Sequence, residues 1–139
     1  MEKIIPNTFE ETEFFKEHGN LVEFFDNCCQ EHNGKMAFES FGVEISYEDL
    51  SEKVNAFASW LTNNFQAGDR IAVMMPNMLA YPIIVYGALK AGIIVVNVNP
   101  LYTPRELEHV LKDSEAKVIV AWEGIANVVE KSNLANVET

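Results

Sequence analysis

The stretch "IAVMMPNMLAYPIIVYGALKAGIIVVNV", residues 71–98, decides the fold, because it is apolar almost throughout and yet repeatedly interrupted. Its single charged residue is Lys90. A membrane helix needs about 20 mostly apolar residues in one unbroken run. This run is divided by two prolines, an asparagine and two glycines: Pro76, Asn77, Pro82, Gly87 and Gly92. Short apolar pieces between turn residues indicate a buried strand, a helix and a second buried strand.

Each piece of the run predicts one element. Residues 71–75 are continuously apolar, which is typical of a parallel strand covered on both faces. Residues 78–91 are apolar on every side, so we expect a helix that lies deep in the protein. Pro82 falls near its first turn, where proline costs least, and Gly92 ends it. Residues 93–98 predict the second strand.

The pattern of strand and helix continues downstream. Thr103 is placed to cap a helix, with Pro104 at the first helical position and Glu106 completing a capping box. Residues 117–122 predict a third strand and residues 123–132 a short helix. Strands that alternate with helices pair in parallel through right-handed crossovers.

Upstream, the pattern predicts a helix, a hairpin and a second helix. Asn20 caps a helix that runs to about His32. Residues 36–47 alternate around Gly42, which indicates a β-hairpin, and residues 47–64 carry an apolar stripe at helical spacing. Five aromatic residues are interpreted as core packing: Phe24, Phe25, Phe38, Phe41 and Phe57. The fold class is therefore α/β: a partly parallel sheet with crossover helices, preceded by a helix–β-hairpin–helix segment.

The domain organisation follows from these elements. Residues 1–19 form an N-terminal arm, with a short acidic helix expected near residues 9–16. Residues 20–132 form one α/β subdomain, since 139 residues suffice for a single core. Residues 133–139 begin a connection toward a fourth strand that we expect to lie beyond the chain.

Composition excludes several classes of function. The formal charge is −11, with 10 basic and 21 acidic residues and no basic stripe, so no nucleic-acid partner is expected. The N-terminus has no long apolar core, which argues against a secretory signal. Cys28 and Cys29 are adjacent, so they predict no disulfide framework but two buried or half-buried thiols in a reducing cytoplasm.

Ligands of open parallel sheets bind beyond the carboxyl ends of the strands, which predicts three places here: residues 75–78, 97–103 and 122–124. The middle one offers the hydrogen-bonding groups of Asn97, Asn99, Tyr102 and Thr103. A helix begins there, and helix N-termini attract anions, although Glu106 is expected to fill this one. Both a polar strand-to-helix turn and a direct ligand contact stay open at this point.

Common catalytic, phosphate-binding and metal-binding motifs are missing from the sequence. It contains neither common glycine-rich phosphate loop and no GxSxG nucleophile elbow. His18, His32 and His109 lack metal-ligand spacing, and the acidic cluster of Glu48, Asp49 and Glu52 fits a solvated helix face. We therefore assign no catalytic, cofactor-binding or metal-binding residue.

Three segments nevertheless resemble a known family: "SYEDL" (46–50), "GDRIAVMMPN" (68–77) and "YGALKAGIIVVNVNPLYTPRELEHVLKDS" (86–114). They are similar to the adenylate-forming ligases, the superfamily of acyl-CoA synthetases, luciferases and nonribosomal adenylation domains. The run "NVNPLYTPRELEH" (97–109) resembles bacterial long-chain fatty acyl-CoA synthetases most specifically.

The resemblance implies the N-terminal scaffold of a long-chain fatty acid–CoA ligase. Such enzymes use ATP and Mg²⁺ to convert a fatty acid to an acyl-adenylate, and then pass the acyl group to coenzyme A. Their phosphate loop, nucleotide-binding residues, metal ligands and catalytic lysine lie downstream of the matched positions, so the chain alone is expected to be inactive.

The resemblance further implies a cytoplasmic enzyme and admits peripheral contact with the inner membrane. Self-association through an exposed sheet edge is expected from the strand pattern. The alternative to an enzyme part is a stand-alone α/β module that binds an acyl chain or a protein. A receiver-like signalling domain is less well supported, because Glu123 is the one suitable acidic residue at a strand end.

Overall fold

A computed structural model describes residues 19–134 and 137–139 of the chain. The N-terminal arm, with its expected acidic helix, therefore lies outside the described residues except for Gly19. In chain order the elements are α1 (Leu21–Glu31), β1 (Met36–Ser40), β2 (Val43–Ser46), α2 (Tyr47–Asn64), β3 (Arg70–Met74), α3 (Ala80–Lys90), β4 (Ile94–Asn97), α4 (Pro104–Ser114), β5 (Val118–Ala121), a 3₁₀ turn (Glu123–Ile125) and α5 (Ala126–Lys131).

The central sheet has three parallel strands in the order β4-β3-β5. Val73 of β3 lies opposite Asn97 of β4 on one side and Val120 of β5 on the other. The predicted parallel pairing of the three apolar segments is thus confirmed. The central strand β3 is buried on both faces, as its continuous apolar sequence predicted.

The sheet is covered on both faces by helices, because successive side chains of β3 point to opposite sides. Ile71 and Val73 pack with Leu61 of α2 and Ala88 of α3 in one cluster. Ala72 and Met74 pack on the opposite side, against Leu107 and Leu111 of α4 and Val129 of α5. Full burial of a leucine such as Leu61 contributes roughly 1.5–3 kcal/mol relative to exposure.

A third cluster joins α1 and β2 to α2, with Phe25, Cys29, Ile45, Leu50 and Val54 at its centre. The Phe25 ring stacks on Tyr86 of α3, with ring centroids 4.2 Å apart. Beside it the Lys90 Nζ lies 2.7 Å from the Asp26 Oδ1. The helix–hairpin–helix segment is therefore fixed to the outer helices of the sheet and does not form a separate unit.

The predicted helix starts at Asn20 and Thr103 are confirmed, and Ser46 caps α2. The Asn20 side chain accepts hydrogen bonds from the backbone N–H groups of Val22 and Glu23. Ser46 Oγ accepts one from the N–H of Asp49 at 3.0 Å. Each cap supplies acceptors to N–H groups that have no partner inside the helix.

The hairpin corrects the assignment of two aromatic residues to the core. Its strands β1 and β2 pair antiparallel with Ser40 opposite Val43, which leaves Phe41 and Gly42 as the two turn residues. Both adopt positive φ values, 54° and 79°. Phe41 is 95% exposed because it lies in the turn. Phe38 is 44% exposed because its side of β1 is not covered by the core.

Three boundaries differ from the prediction. Helix α3 begins at Ala80, and it does not lie deep on all sides, because its outer face remains partly open. Residues 123–132 divide into the 3₁₀ turn and α5. The beginning of a fourth strand lies within the chain: Glu138 forms a parallel bridge with Val118, and its N–H donates to the Lys117 carbonyl at 2.8 Å.

Candidate functional site

The three sheet strands end at the same edge, so the three places predicted for a ligand converge. The N–H of Val98 donates to the Val73 carbonyl at 2.9 Å, and the N–H of Trp122 donates to the Met74 carbonyl at 3.0 Å. These bonds extend the sheet past the ends of β4 and β5. Residues 75–78, 97–103 and 122–124 therefore share one edge, which is the candidate site.

Asn97 closes β4 and is tied to the neighbouring helix. The hydroxyl of Tyr81, in the first turn of α3, donates to the Asn97 Oδ1 at 2.9 Å. A side-chain hydrogen bond of this kind contributes roughly 0.5–1.5 kcal/mol. The bond fixes the start of α3 against the end of β4, so the Asn97 carboxamide oxygen serves the scaffold.

Asn99 shapes the turn that follows. Its Oδ1 accepts from the N–H of Leu101 at 2.9 Å, and its backbone carbonyl accepts from the N–H of Tyr102 at 3.1 Å. An asparagine that bonds to the backbone two residues onward forms an Asx turn, which reverses the chain locally. The side-chain oxygen of Asn99 is therefore committed to the turn.

Thr103 and Glu106 form the predicted capping box at the start of α4. Glu106 Oε2 accepts from both the N–H and the hydroxyl of Thr103, each at 2.8 Å. The backbone hydrogen bond from Thr103, followed by that from its hydroxyl, holds the pKa of Glu106 below its usual value. The helix end already carries a carboxylate, so it offers an external anion little attraction.

An open cavity of about 390 Å³ with mixed polar and apolar lining lies beside this helix end. Its lining residues are Tyr102, Arg105, Glu106, His109 and Val110. The i,i+4 spacing of Arg105 and His109 on α4 places both side chains on one helix face. Sequence reasoning singled out Tyr102 here but did not find this cavity, because a concave surface depends on how α4 packs.

The remaining candidate groups are dispersed. Within residues 19–134 and 137–139, no cluster of three or more His, Cys, Asp or Glu side chains could hold a metal ion. His18 lies outside the described residues. Cys28 is half-buried and Cys29 is buried, as predicted, and both are free thiols. Burial, together with the charge of Asp26, raises the pKa of the Cys29 thiol.

A second concave surface, which the sequence interpretation missed, lies on the outer side of α3. We call it the α3 groove. It has a volume of about 470 Å³ and runs between α3, strand β1 and the start of α1. Its lining residues are Leu21, Phe38, Glu39, Ser40, Asn77, Met78, Leu79, Tyr81, Pro82, Val85, Tyr86 and Leu89. The sequence did contain a signal for this groove. The helix is apolar on more sides than the neighbouring predicted elements could cover.

None of the helices in the described part of the chain combines the length and the apolar character required to cross a membrane.

Comparison with known proteins identifies the family. The family model described as "AMP-binding enzyme" matches residues 25–139. The chain belongs to this AMP-binding enzyme family. The match includes the whole candidate edge and most of the residues that line the α3 groove.

Relatives in the AMP-binding family include long-chain-fatty-acid–CoA ligases. The ligase of Haemophilus influenzae is 47% identical over 114 residues, which cover 81% of this chain and 20% of that protein. The ligase of Bacillus subtilis is 42% identical over 87 residues, which cover 62% of this chain and 16% of that protein. The chain thus spans about a fifth of the length of the long-chain-fatty-acid–CoA ligases of Haemophilus influenzae and Yersinia pestis.

Solved structures of the AMP-binding family share the fold. A benzoate CoA ligase from Burkholderia xenovorans superposes with a TM-score of 0.76 at 28% identity, covering 80% of this chain and 23% of that one. A fatty acyl CoA synthetase from Mycobacterium tuberculosis gives a TM-score of 0.74 at 27% identity, with coverages of 80% and 23%. The predicted fold class is confirmed by these likenesses.

Proposed function

We propose that the chain is the scaffold portion of a long-chain fatty acid–CoA ligase. That enzyme would use ATP and Mg²⁺ to activate a long-chain fatty acid as its adenylate and then form a thioester with coenzyme A. The observation that carries the proposal is the 47% identity to such a ligase over 81% of this chain.

The described residues do not fit a nucleotide or metal site of their own. The N-terminus of α4 is occupied by the Glu106 carboxylate, where a phosphate would need uncommitted N–H groups. No group of three or more His, Cys, Asp or Glu side chains within the described ranges could hold a metal ion. We therefore assign ATP, Mg²⁺ and coenzyme A to polypeptide outside this chain, and we give no residue between Met1 and Thr139 a catalytic role.

The proposed role of the polar residues at the sheet edge is structural: they fix the path of the backbone there. Tyr81, Asn99 and Thr103 each use a polar group to hold a turn or a helix end. Residues 20–132 would act as one α/β subdomain, with residues 1–19 as an arm and residues 133–139 as the start of a connection.

The test is fatty-acid-dependent exchange between ATP and pyrophosphate. We expect no exchange by the 139-residue chain. We expect exchange by a chimera in which the chain replaces the matched part of the Haemophilus influenzae ligase, because the reactive parts would then be present. Exchange by the isolated chain would overturn the assignment of chemistry to other segments, and an inactive but folded chimera would contradict the ligase assignment.

Self-association through β4 is a further part of the proposal. Its outer edge has no partner strand among residues 19–134 and 137–139, and unpaired edges promote association. The net charge of −11 opposes association, so salt should favour it. Light scattering at increasing protein and salt concentration tests this, and a monomer under all conditions would refute it.

We also place the complete enzyme in the cytoplasm, in peripheral contact with the inner membrane. The exposed aromatic rings of Phe41 and Trp60 support the contact, because aromatic side chains are favoured at membrane interfaces. Sedimentation of the chimera with phosphatidylcholine vesicles should be reduced by Phe41→Ser. Equal sedimentation of both proteins would remove the support from Phe41.

The alternative function, a stand-alone module that binds an acyl chain or a protein, is favoured by the α3 groove. A titration with a fluorescent fatty acid tests the acyl-chain form. Saturable binding by the chain that Phe38→Asp abolishes would establish that form, and its absence would exclude it.

A further inference from the structure

The turn of the β1–β2 hairpin holds Phe41 in a conformation that is unfavourable for its side chain. The φ of Phe41 is 54°, in the left-handed region. Bulky residues are rarely found there because their Cβ crowds the backbone, whereas glycine and asparagine adopt this region readily. The next residue, Gly42, has a φ of 79°. Two successive residues with positive φ match the twist of the paired strands, so the hairpin itself imposes this conformation on position 41.

The phenyl ring of Phe41 contributes no packing to the described part of the fold. It is 95% exposed, and it is absent from the three apolar clusters that the described residues form. Other groups hold the turn. Ser40 pairs with Val43. The Glu39 Oε1 accepts a hydrogen bond from the N–H of Gly42 at 2.6 Å. A large apolar residue that is both strained and exposed indicates a contact beyond these residues.

The apolar surface at this tip is too small for a specific protein partner. A phenylalanine side chain buries about 150–250 Å², and a specific protein interface takes roughly 800 Å² from each partner. Val43, which is 59% exposed, adds one more apolar side chain. On the next rung of the hairpin Glu39 lies opposite Glu44, and both are exposed. Burial of these carboxylates would be costly, so the tip can enter an apolar phase only to the depth of Phe41 and Val43.

We infer that the hairpin tip, formed by Phe41 and Val43, inserts into the interface of a zwitterionic lipid bilayer. The inference rests on the membrane contact in the proposed function, and it names the inserting element and the class of lipid. Aromatic rings are favoured at the boundary between headgroups and acyl chains, and a bilayer accepts a ring without a complementary pocket. Residues 36–46 include two glutamates and no lysine or arginine, and the chain has a net charge of −11. Anionic headgroups would therefore repel the tip.

Sedimentation of the 139-residue chain with phosphatidylcholine vesicles tests the inference. A single myristoyl chain binds bilayers with an association constant on the order of 10⁴ M⁻¹, and one ring should bind more weakly, so lipid at about millimolar concentration is required. Phe41→Asn should lower the partition coefficient about fivefold or more, because the inserted apolar surface is lost. Added phosphatidylglycerol should lower binding by the parent chain. The urea midpoint of Phe41→Asn should not fall, since asparagine tolerates a positive φ.

The matched control is Leu101→Ser, which removes an exposed apolar side chain outside the hairpin. Leu101 is 87% exposed in the turn before α4, and its substitution should change the partition coefficient less than about twofold. Phe41→Trp provides a direct readout of insertion. Brominated phosphatidylcholine should quench its fluorescence more strongly than that of the parent chain, in which Trp60 and Trp122 are the emitting residues.

Several results would overturn the inference. Equal sedimentation of Phe41→Asn and the parent chain would locate any membrane contact elsewhere, as would an equal loss with Leu101→Ser or no added quenching at position 41. Stronger binding to vesicles with phosphatidylglycerol would refute the zwitterionic surface. A lower urea midpoint for Phe41→Asn would show that the ring serves the fold, and a homodimer that this variant dissociates would show that a second copy covers the ring.

Failure of this inference is distinguishable from failure of the ligase assignment. ATP–pyrophosphate exchange by the chimera tests the ligase without vesicles. An active chimera combined with sedimentation that does not depend on Phe41 would refute only the inserting tip. An inactive but folded chimera, combined with sedimentation of the chain that Phe41→Asn abolishes, would contradict the ligase and support the tip.

Discussion

Replacing Gly87 with alanine should destabilise the protein, although alanine is the better helix former. Gly87 lies in α3 where it faces α2, and a Cβ added there would stand 2.8 Å from Cδ1 of Phe57 and 3.2 Å from the Val54 carbonyl oxygen. The ring of Phe57 could move, but the backbone oxygen of Val54 belongs to a residue that is fully buried. The two helices would therefore have to separate.

The size of the effect follows from two opposing contributions. Alanine gains about 1 kcal/mol over glycine in a helix interior. An extra carbon in a tightly packed core costs typically about 1–3 kcal/mol. The free energy of unfolding should accordingly fall by about 1 kcal/mol on Gly87→Ala.

Urea unfolding, followed by far-UV circular dichroism, measures this change. Ala56→Gly at an exposed position of α2 is the control for helix propensity, and it should cost about 1 kcal/mol. Phe57→Leu should rescue part of the loss in the Gly87→Ala background, with a coupling energy of about 0.5–3 kcal/mol. If Gly87→Ala instead stabilises the protein by the full propensity gain, close packing of α2 on α3 does not constrain position 87.

Three further predictions concern the candidate edge and the charges around the sheet. Thr103→Ala should lower the unfolding free energy by about 1 kcal/mol, because α4 loses its cap; urea unfolding beside Thr62→Ala, an exposed helical threonine, checks this. Tyr81→Phe should cost roughly 0.5–1.5 kcal/mol through the lost bond to Asn97, and an unchanged urea midpoint would contradict that role. The pKa of Asp69 is lowered by its hydrogen bond from Lys117, and that of Glu106 by Thr103. Because both folded pKa values are depressed, the associated stability is present above the ordinary values of 3.8 and 4.5 and is lost as the pH falls through the folded values. Urea midpoints measured at decreasing pH, starting at about pH 6, should therefore decline below about pH 4.5. The decline should be less steep for Glu106→Gln, which lacks the ionisable carboxyl group.

The parallel sheet could be predicted because its signal is local and repeated. Ile71–Met74 is continuously apolar, and the turn residues that follow it separate one element from the next. The start of α4 could be predicted to the residue, since Thr103, Pro104 and Glu106 satisfy the helix end through neighbours in sequence. Such features depend on contacts within a few residues, which a sequence displays directly.

The exposed side chains could not be predicted, because exposure depends on partners distant in the chain. Phe38 and Phe41 are large apolar residues of the kind found in cores. Only the register of the hairpin places Phe41 in the turn and Phe38 on an exposed face. The α3 groove likewise exists because α1 and β1 stop short of covering α3. Apolar periodicity shows that a surface needs a cover but does not show which segment supplies it.

The hydrogen-bonded sheet edge and the exposed apolar face of α3 together favour a scaffold role over an independent binding site. At the sheet edge the side-chain oxygens of Asn97, Asn99 and Glu106 already accept hydrogen bonds from within the chain, so a ligand there would have to compete with the turns themselves. The unsatisfied surface is instead the apolar one along α3. The polar edge is therefore satisfied within the chain, whereas the apolar face along α3 remains open among the described residues.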